Sequence, residues 1–160
     1  MADIVEQIAA LPEVELAAGD TLCAEGDAGG AMWFLLSGSL RVVKAGVQVN
    51  TITTPGAVVG EMAVLLGVSS SATVVADETT RLRVAADGAA LLRQEPAITA
   101  HVATVLAERL SFVTTYLADL KHQYGDAPGL AMVSDVLKEL AAHQGPAARP
   151  GSARDPDPEY

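Results

Sequence analysis

The chain has 160 residues, 50% of them hydrophobic and only 4% aromatic, with a formal net charge of −10. That length supports one domain with its own core and leaves too little chain for two full ones. The acidic balance argues against nucleic acid as the main partner, because binding a polyanion rests on clustered Lys and Arg.

In chain order, residues 3–10 put Ile4, Val5 and Ile8 on one face and predict a short amphipathic helix. The first residues carry Asp3 and Glu6 rather than a basic leader, and no run of 18 apolar residues follows. A cytoplasmic protein away from the membrane is therefore expected. From Val14 to Val84, strand-length runs are separated by turns at Gly19-Asp20, Glu25-Gly26-Asp27, Gly29-Gly30, Ser37-Gly38, Ala45-Gly46 and Pro55-Gly56. Runs and turns at this spacing predict a compact all-β sandwich or roll. Within it Cys23, the single cysteine, lies between Leu22 and Ala24 and reads as a small buried hydrophobe. One cysteine excludes an intrachain disulfide and a cysteine-based metal site.

Ala86 to Glu95 reads as a short helix broken by Pro96, followed by a long helix from Ala97 to Tyr124. Leu106, Leu110, Val113, Leu117, Leu120 and Tyr124 recur along it at heptad-type a/d spacing. Two readings stand for that stripe: packing on its own domain, or a homodimer seam through Leu110, Val113, Leu117 and Leu120. Gly125 ends the helix and Pro128 opens another, with an apolar stripe of Leu130, Val133, Leu137 and Leu140. Gln144-Gly145-Pro146 closes it, and the Pro-, Ala- and Arg/Asp-rich remainder predicts a disordered tail. The expected division is 1–125, 126–144 and 145–160.

The most informative segment is Gly60-Glu61-Met62-Ala63-Val64-Leu65, followed after a short loop by Ser70-Ser71-Ala72-Thr73-Val74. It resembles the phosphate-binding cassette of the cyclic-nucleotide-binding domain family, Gly-Glu-(Leu/Met)-Ala-(Leu/Val)-Leu, then Arg-(Ser/Ala)-Ala-Thr-Val. The resemblance extends upstream through Glu25-Gly26-Asp27 and the run Met32 to Leu40, and covers roughly residues 13–117. It implies a mainly β fold with flanking helices (α+β): an eight-stranded β-roll, or jelly roll, like that of the catabolite activator protein, with an N-terminal helix and long C-terminal helices. The ligand it implies is cyclic AMP or cyclic GMP.

The resemblance also assigns roles. Glu61 accepts a hydrogen bond from the ribose 2′-hydroxyl, and Gly60 lets the backbone approach the sugar. The helix starting at Met62 and Ala63 aims backbone N–H groups at the phosphate. Ala72 and Thr73 line the far wall, while Met62 and Val64 pack beneath it. Thr114 and Thr115 fall near where some members place hydroxyls facing the base. In family members with this loop length a Pro-Arg pair aligns with Ser69 and Ser70, so the phosphate-gripping arginine is replaced by Ser70, with Ser71 beside it. No Lys, Arg or His lies between Ala45 and Thr80, so no local shift of alignment restores the charge. A charged hydrogen bond contributes about 1.5–3 kcal/mol, so its loss weakens binding roughly 10- to 150-fold.

Other chemistry finds no support in the residues. His101, His122 and His143 lack metal-ligand spacing, Asp77-Glu78 reads as a turn, and no nucleophile elbow, P-loop or dinucleotide fingerprint occurs. No enzyme and no metal are expected. The related transcription regulators carry a helix-turn-helix domain after the long helix. Here one helix and a tail follow Gly125, and Lys138 is the only Lys or Arg from Leu130 to His143, so this chain alone is not expected to bind DNA. Two functions stay open: a small-ligand sensor signalling through its C-terminal helices to a protein partner or second subunit, and a ligand-free interaction or dimerisation module.

Overall fold

The computed structural model of the chain describes residues 4–124 and 131–142. The roll consists of eight strands: β1 (Glu13–Leu16), β2 (Thr21–Cys23), β3 (Met32–Ser37), β4 (Leu40–Lys44), β5 (Val47–Ile52), β6 (Val58–Val59), β7 (Thr73–Ala76) and β8 (Thr80–Ala85). They form two four-stranded antiparallel sheets, ordered β1-β8-β3-β6 and β2-β7-β4-β5. Among the described residues five helices accompany them: α1 (Ile4–Gln7), α2 (Glu61–Leu66), α3 (Gly88–Gln94), α4 (Pro96–Tyr124) and α5 (Ala131–Ala142). The expected eight-stranded β-roll with a short helix after Glu61 is the fold observed.

The reason lies in alternation. Leu35, Leu40, Val59, Val74, Ala76 and Leu82, drawn from both sheets, form one buried cluster, with Trp33, Val42 and Cys23 packed against it. On β3, Phe34 is the sequence neighbour of Leu35 and so faces the other way, yet it is fully buried too, as are Met32 and Ile8. Ile98 and Val102 in the first turns of α4 are equally buried. His101 Nε2 lies 3.0 Å from the Gly56 carbonyl oxygen, and a Cβ on Gly56 would lie 2.6 Å from the Ile4 side chain. Residues of α1 and α4 thus meet at the turn that precedes β6.

Several boundaries move. The N-terminal helix, expected over 3–10, spans Ile4–Gln7. The helix expected from Ala86 starts at Gly88, because the Asp87 carboxylate accepts the Ala90 N–H at 2.8 Å and caps it there. Pro96 opens α4 rather than merely ending the preceding helix; at the first helical position its missing N–H has no partner to lose. Cys23, expected to be buried, is half-buried. The expected signals at Gly125, Pro128, Leu130 and Gln144-Gly145-Pro146, and the tail from 145, lie outside the described residues.

The chain falls into two compact units, Met1–Val105 and Leu106–Tyr160. The second contains the later turns of α4 together with α5. On α4 Leu110, Phe112, Val113 and Tyr116 are exposed, whereas Leu106, Leu117 and Leu120 are half-buried. On α5 Met132, Val136 and Leu140 are exposed. No described helix is long and apolar enough to cross a membrane.

Candidate functional site

The site begins where β6 ends. Val58 and Val59 are buried, and Gly60 turns the chain into α2 at φ 88°. A Cβ there would lie 2.5 Å from the Ala31 carbonyl oxygen and 3.0 Å from the Trp33 ring, so glycine is required twice over, by conformation and by space. Glu61 follows in the first turn of α2 and is 3% exposed, the one buried ionisable residue among those described. Burying a carboxylate costs several kcal/mol unless the surroundings compensate, so such residues concentrate at functional sites. Gly67, at φ 65°, ends the helix, and the Val68 N–H donates to the Ala63 carbonyl at 3.1 Å.

The second half of the cassette is strapped to the turn at 24–27. The Ser70 N–H donates to the Asp27 carbonyl at 2.8 Å, and the Gly26 N–H donates to the Ser70 carbonyl at 2.8 Å. The Glu25 N–H donates to the Thr73 hydroxyl at 2.9 Å, and the Asp27 carboxylate accepts the Ala24 N–H at 2.9 Å. The Cys23 S–H makes a long 4.0 Å contact to the Ala72 carbonyl. Burial raises the thiol pKa above its ordinary value; the hydrogen bonds to Ser70 and to the Val74 backbone oppose the rise, and the Asp27 charge adds to it. Val59, just before the cassette, and Val74, its last residue, belong to the same core cluster. Both halves are therefore anchored on one packed interior.

The family profile described as Cyclic nucleotide-binding domain matches residues 13–94, more than half of the chain. The chain belongs to the cyclic nucleotide-binding domain family. Among solved structures it is similar to the N-terminal domain of a transcriptional regulator from Streptomyces coelicolor A3(2), at 24% identity and TM-score 0.52, covering 70% of this chain and 82% of that one. It is also similar to the regulatory domain of Toxoplasma gondii PKA, determined with cAMP, at 17% identity and TM-score 0.55, covering 66% and 45%. At these identities the likeness speaks to the fold. The regulatory subunit of a cAMP-independent protein kinase A from Trypanosoma brucei matches at 28% identity over 47% of this chain, with TM-score 0.45. This chain spans 28% of that subunit's length. No curated protein matches the chain.

In this cyclic nucleotide-binding domain, eight of the nine expected site residues fall within the roll unit: Gly60 to Ala63 on the turn into α2, and Ser70 to Thr73 on the loop into β7. Thr114 is exposed on α4 in the second unit, as is Thr115. One side chain departs from expectation. Met62 is exposed rather than packed beneath the pocket, because α2 turns Glu61 and Ala63 inward and leaves Met62, Leu65 and Leu66 as its outer stripe. Thr73 points away from the core, since Val74 and Ala76 take the inward positions of β7, and its hydroxyl is engaged by Glu25.

A cleft of about 370 Å³ runs beside α2, lined by Gly29, Gly30, Val64, Val68, Ser69 and Asp87 among others. Of the expected site residues it includes Ala63 alone, and its one ionisable side chain already caps α3. Two contacts beside the cassette were not read from the sequence. The Glu25 carboxylate accepts the Ala45 N–H at 2.9 Å, and Lys44 Nζ donates to the Ser71 carbonyl at 2.6 Å.

Proposed function

We propose that this domain is a regulatory sensor that binds cyclic AMP or cyclic GMP weakly and passes occupancy to a partner protein or second subunit through α4 and α5. The observation that carries the reading is Glu61: a carboxylate buried at the head of a six-residue helix, entered through a turn only glycine can make. That is the arrangement a ribose hydroxyl requires, an acceptor held still beside backbone that can be closely approached. Affinity is low because Ser70 offers one neutral hydroxyl where the family's arginine offers a charged fork. The role is binding rather than catalysis.

The exposed Leu110 and Val113, with half-buried Leu117 and Leu120, support a homodimer seam as one route for the output. Calorimetric titration of the chain with cyclic AMP and cyclic GMP tests the reading. Dissociation constants in the high micromolar range or weaker are expected, with Glu61→Ala abolishing the heat. Absence of binding by the wild type and by a variant with the arginine restored would refute it.

A further inference from the structure

The stretch between Ala45 and Thr80 contains no cation, yet the fold brings one to the cassette from just outside it. Leu40 and Val42 of β4 pack into the core cluster, and strand alternation places Lys44 on the same face. The irregularity in the β4–β5 pairing leaves that alternation intact. Val42 opposes Asn50 and Val43 opposes Gln48, so the extra residue, Val49, belongs to β5. β4 also pairs with β7, with Val43 opposite Thr73 of the cassette. The end of β4 thus lies beside the loop that contains Ser70 and Ser71. There Lys44 Nζ donates to the Ser71 carbonyl at 2.6 Å and lies 3.9 Å from the Glu25 carboxylate.

The hairpin tip fixes this placement. Ala45 holds a positive φ of 50°, an unfavourable conformation for a residue with a Cβ, and the Glu25 carboxylate accepts its N–H at 2.9 Å. Glu25 therefore ties the residue after Lys44 to the same turn that straps Ser70 and Thr73. The ammonium itself is lightly held. Its side chain is 56% exposed, one partner is a neutral carbonyl, and the carboxylate is at the outer limit of an ion pair. Arg41, Arg81 and Arg83, by contrast, are committed to Asp77 and Glu13.

We propose that Lys44 supplies the positive charge for the cyclic phosphate monoanion, in place of the arginine that Ser70 replaces. The proposal rests on the reading of the cassette as a cyclic nucleotide site. A flexible four-carbon stem lets the ammonium leave the Ser71 carbonyl and meet a phosphate oxygen beside it. A point charge without a fork gives a weaker, single contact, which fits a low-affinity site. Glu25 has two tasks here: it positions the hairpin and it neutralises Lys44 until an anion competes.

The test is a titration of the full chain with cyclic AMP and cyclic GMP, following amide shifts by NMR, for wild type, Lys44→Met, Lys44→Gln, Lys44→Arg, Ser70→Arg and the double variant Ser70→Arg/Lys44→Met. Removing the charge should weaken binding roughly 10-fold and flatten its salt dependence, while Lys44→Arg stays within about threefold of wild type. In the Ser70→Arg background the effect of Lys44→Met should shrink to roughly threefold or less, because the guanidinium then meets the phosphate. Melting temperatures should stay near wild type, as expected for a solvent-screened pair. Wild-type binding unchanged by both Lys44→Met and Lys44→Gln would overturn the role of Lys44 and leave the cassette reading intact. So would binding by Ser70→Arg alone. No binding by any variant, Ser70→Arg included, would overturn both.

Discussion

Gly60 and Trp33 are in contact across the start of the cassette: a Cβ on Gly60 would lie 3.0 Å from the Trp33 ring. Trp33 also opposes Val59 in the β3–β6 pairing, so indole and glycine turn are held in register by the sheet. Gly60→Ala should therefore destabilise the fold by roughly 2–4 kcal/mol, the sum of a left-handed backbone and a close contact with backbone and ring. As Trp33 is the only tryptophan, its fluorescence reports on this turn directly. Denaturant unfolding followed at that wavelength checks the prediction, and an alanine variant as stable as wild type would count against it.

Cys23 gives a pH dependence with a definite sign. Burial raises its pKa in the fold, so the folded state favours the protonated thiol. That contribution is complete below the unfolded thiol's value, about 8.5, and is lost as pH rises through the folded value. Wild-type stability relative to Cys23→Ala should thus be constant from pH 6 to 8 and decline above about 9. Reaction with a thiol reagent at pH 7.5 should be slow compared with a free cysteine. A stability difference that grows with pH would contradict the assignment.

The α4 seam makes an assembly prediction. Leu110→Glu places a charge at an exposed position, where the folded monomer tolerates it and an apolar seam does not. If the chain dimerises through this helix, Leu110→Glu and Leu117→Glu should both sediment as monomers while wild type sediments as a dimer. A monomeric wild type would remove the seam from the signalling route.

The roll was legible because each of its turns carries a glycine and its strands alternate, and the cassette because two motif segments, 60–65 and 70–74, stand in order across one short loop. What escaped the sequence depends on parity and pairing. Thr73 faces away from the core because Val74 and Ala76 claim the inward positions of β7, a parity the motif alone does not display. Met62 was placed beneath the pocket, but it shares the exposed face of α2 with Leu65 and Leu66, while Glu61 and Ala63 are the buried residues of that helix. Lys44 was overlooked because a search along the chain for a cation cannot register a strand that arrives by hydrogen bonding to β7. Asp87 shifted a helix start for a simpler reason, since its capping bond to Ala90 was a sequence signal left unread.

Restoring the missing guanidinium tests the central claim most directly. The backbone of residue 70 is held by Asp27 and Gly26 through main-chain groups, so Ser70→Arg changes the side chain without releasing the loop. Calorimetry should show weak binding of cyclic AMP or cyclic GMP by wild type and a gain of roughly one to two orders of magnitude in Ser70→Arg. That gain should diminish as salt rises, and Glu61→Ala in the same background should remove most of it. Submicromolar binding by the wild type, or no gain from the arginine, would contradict the account.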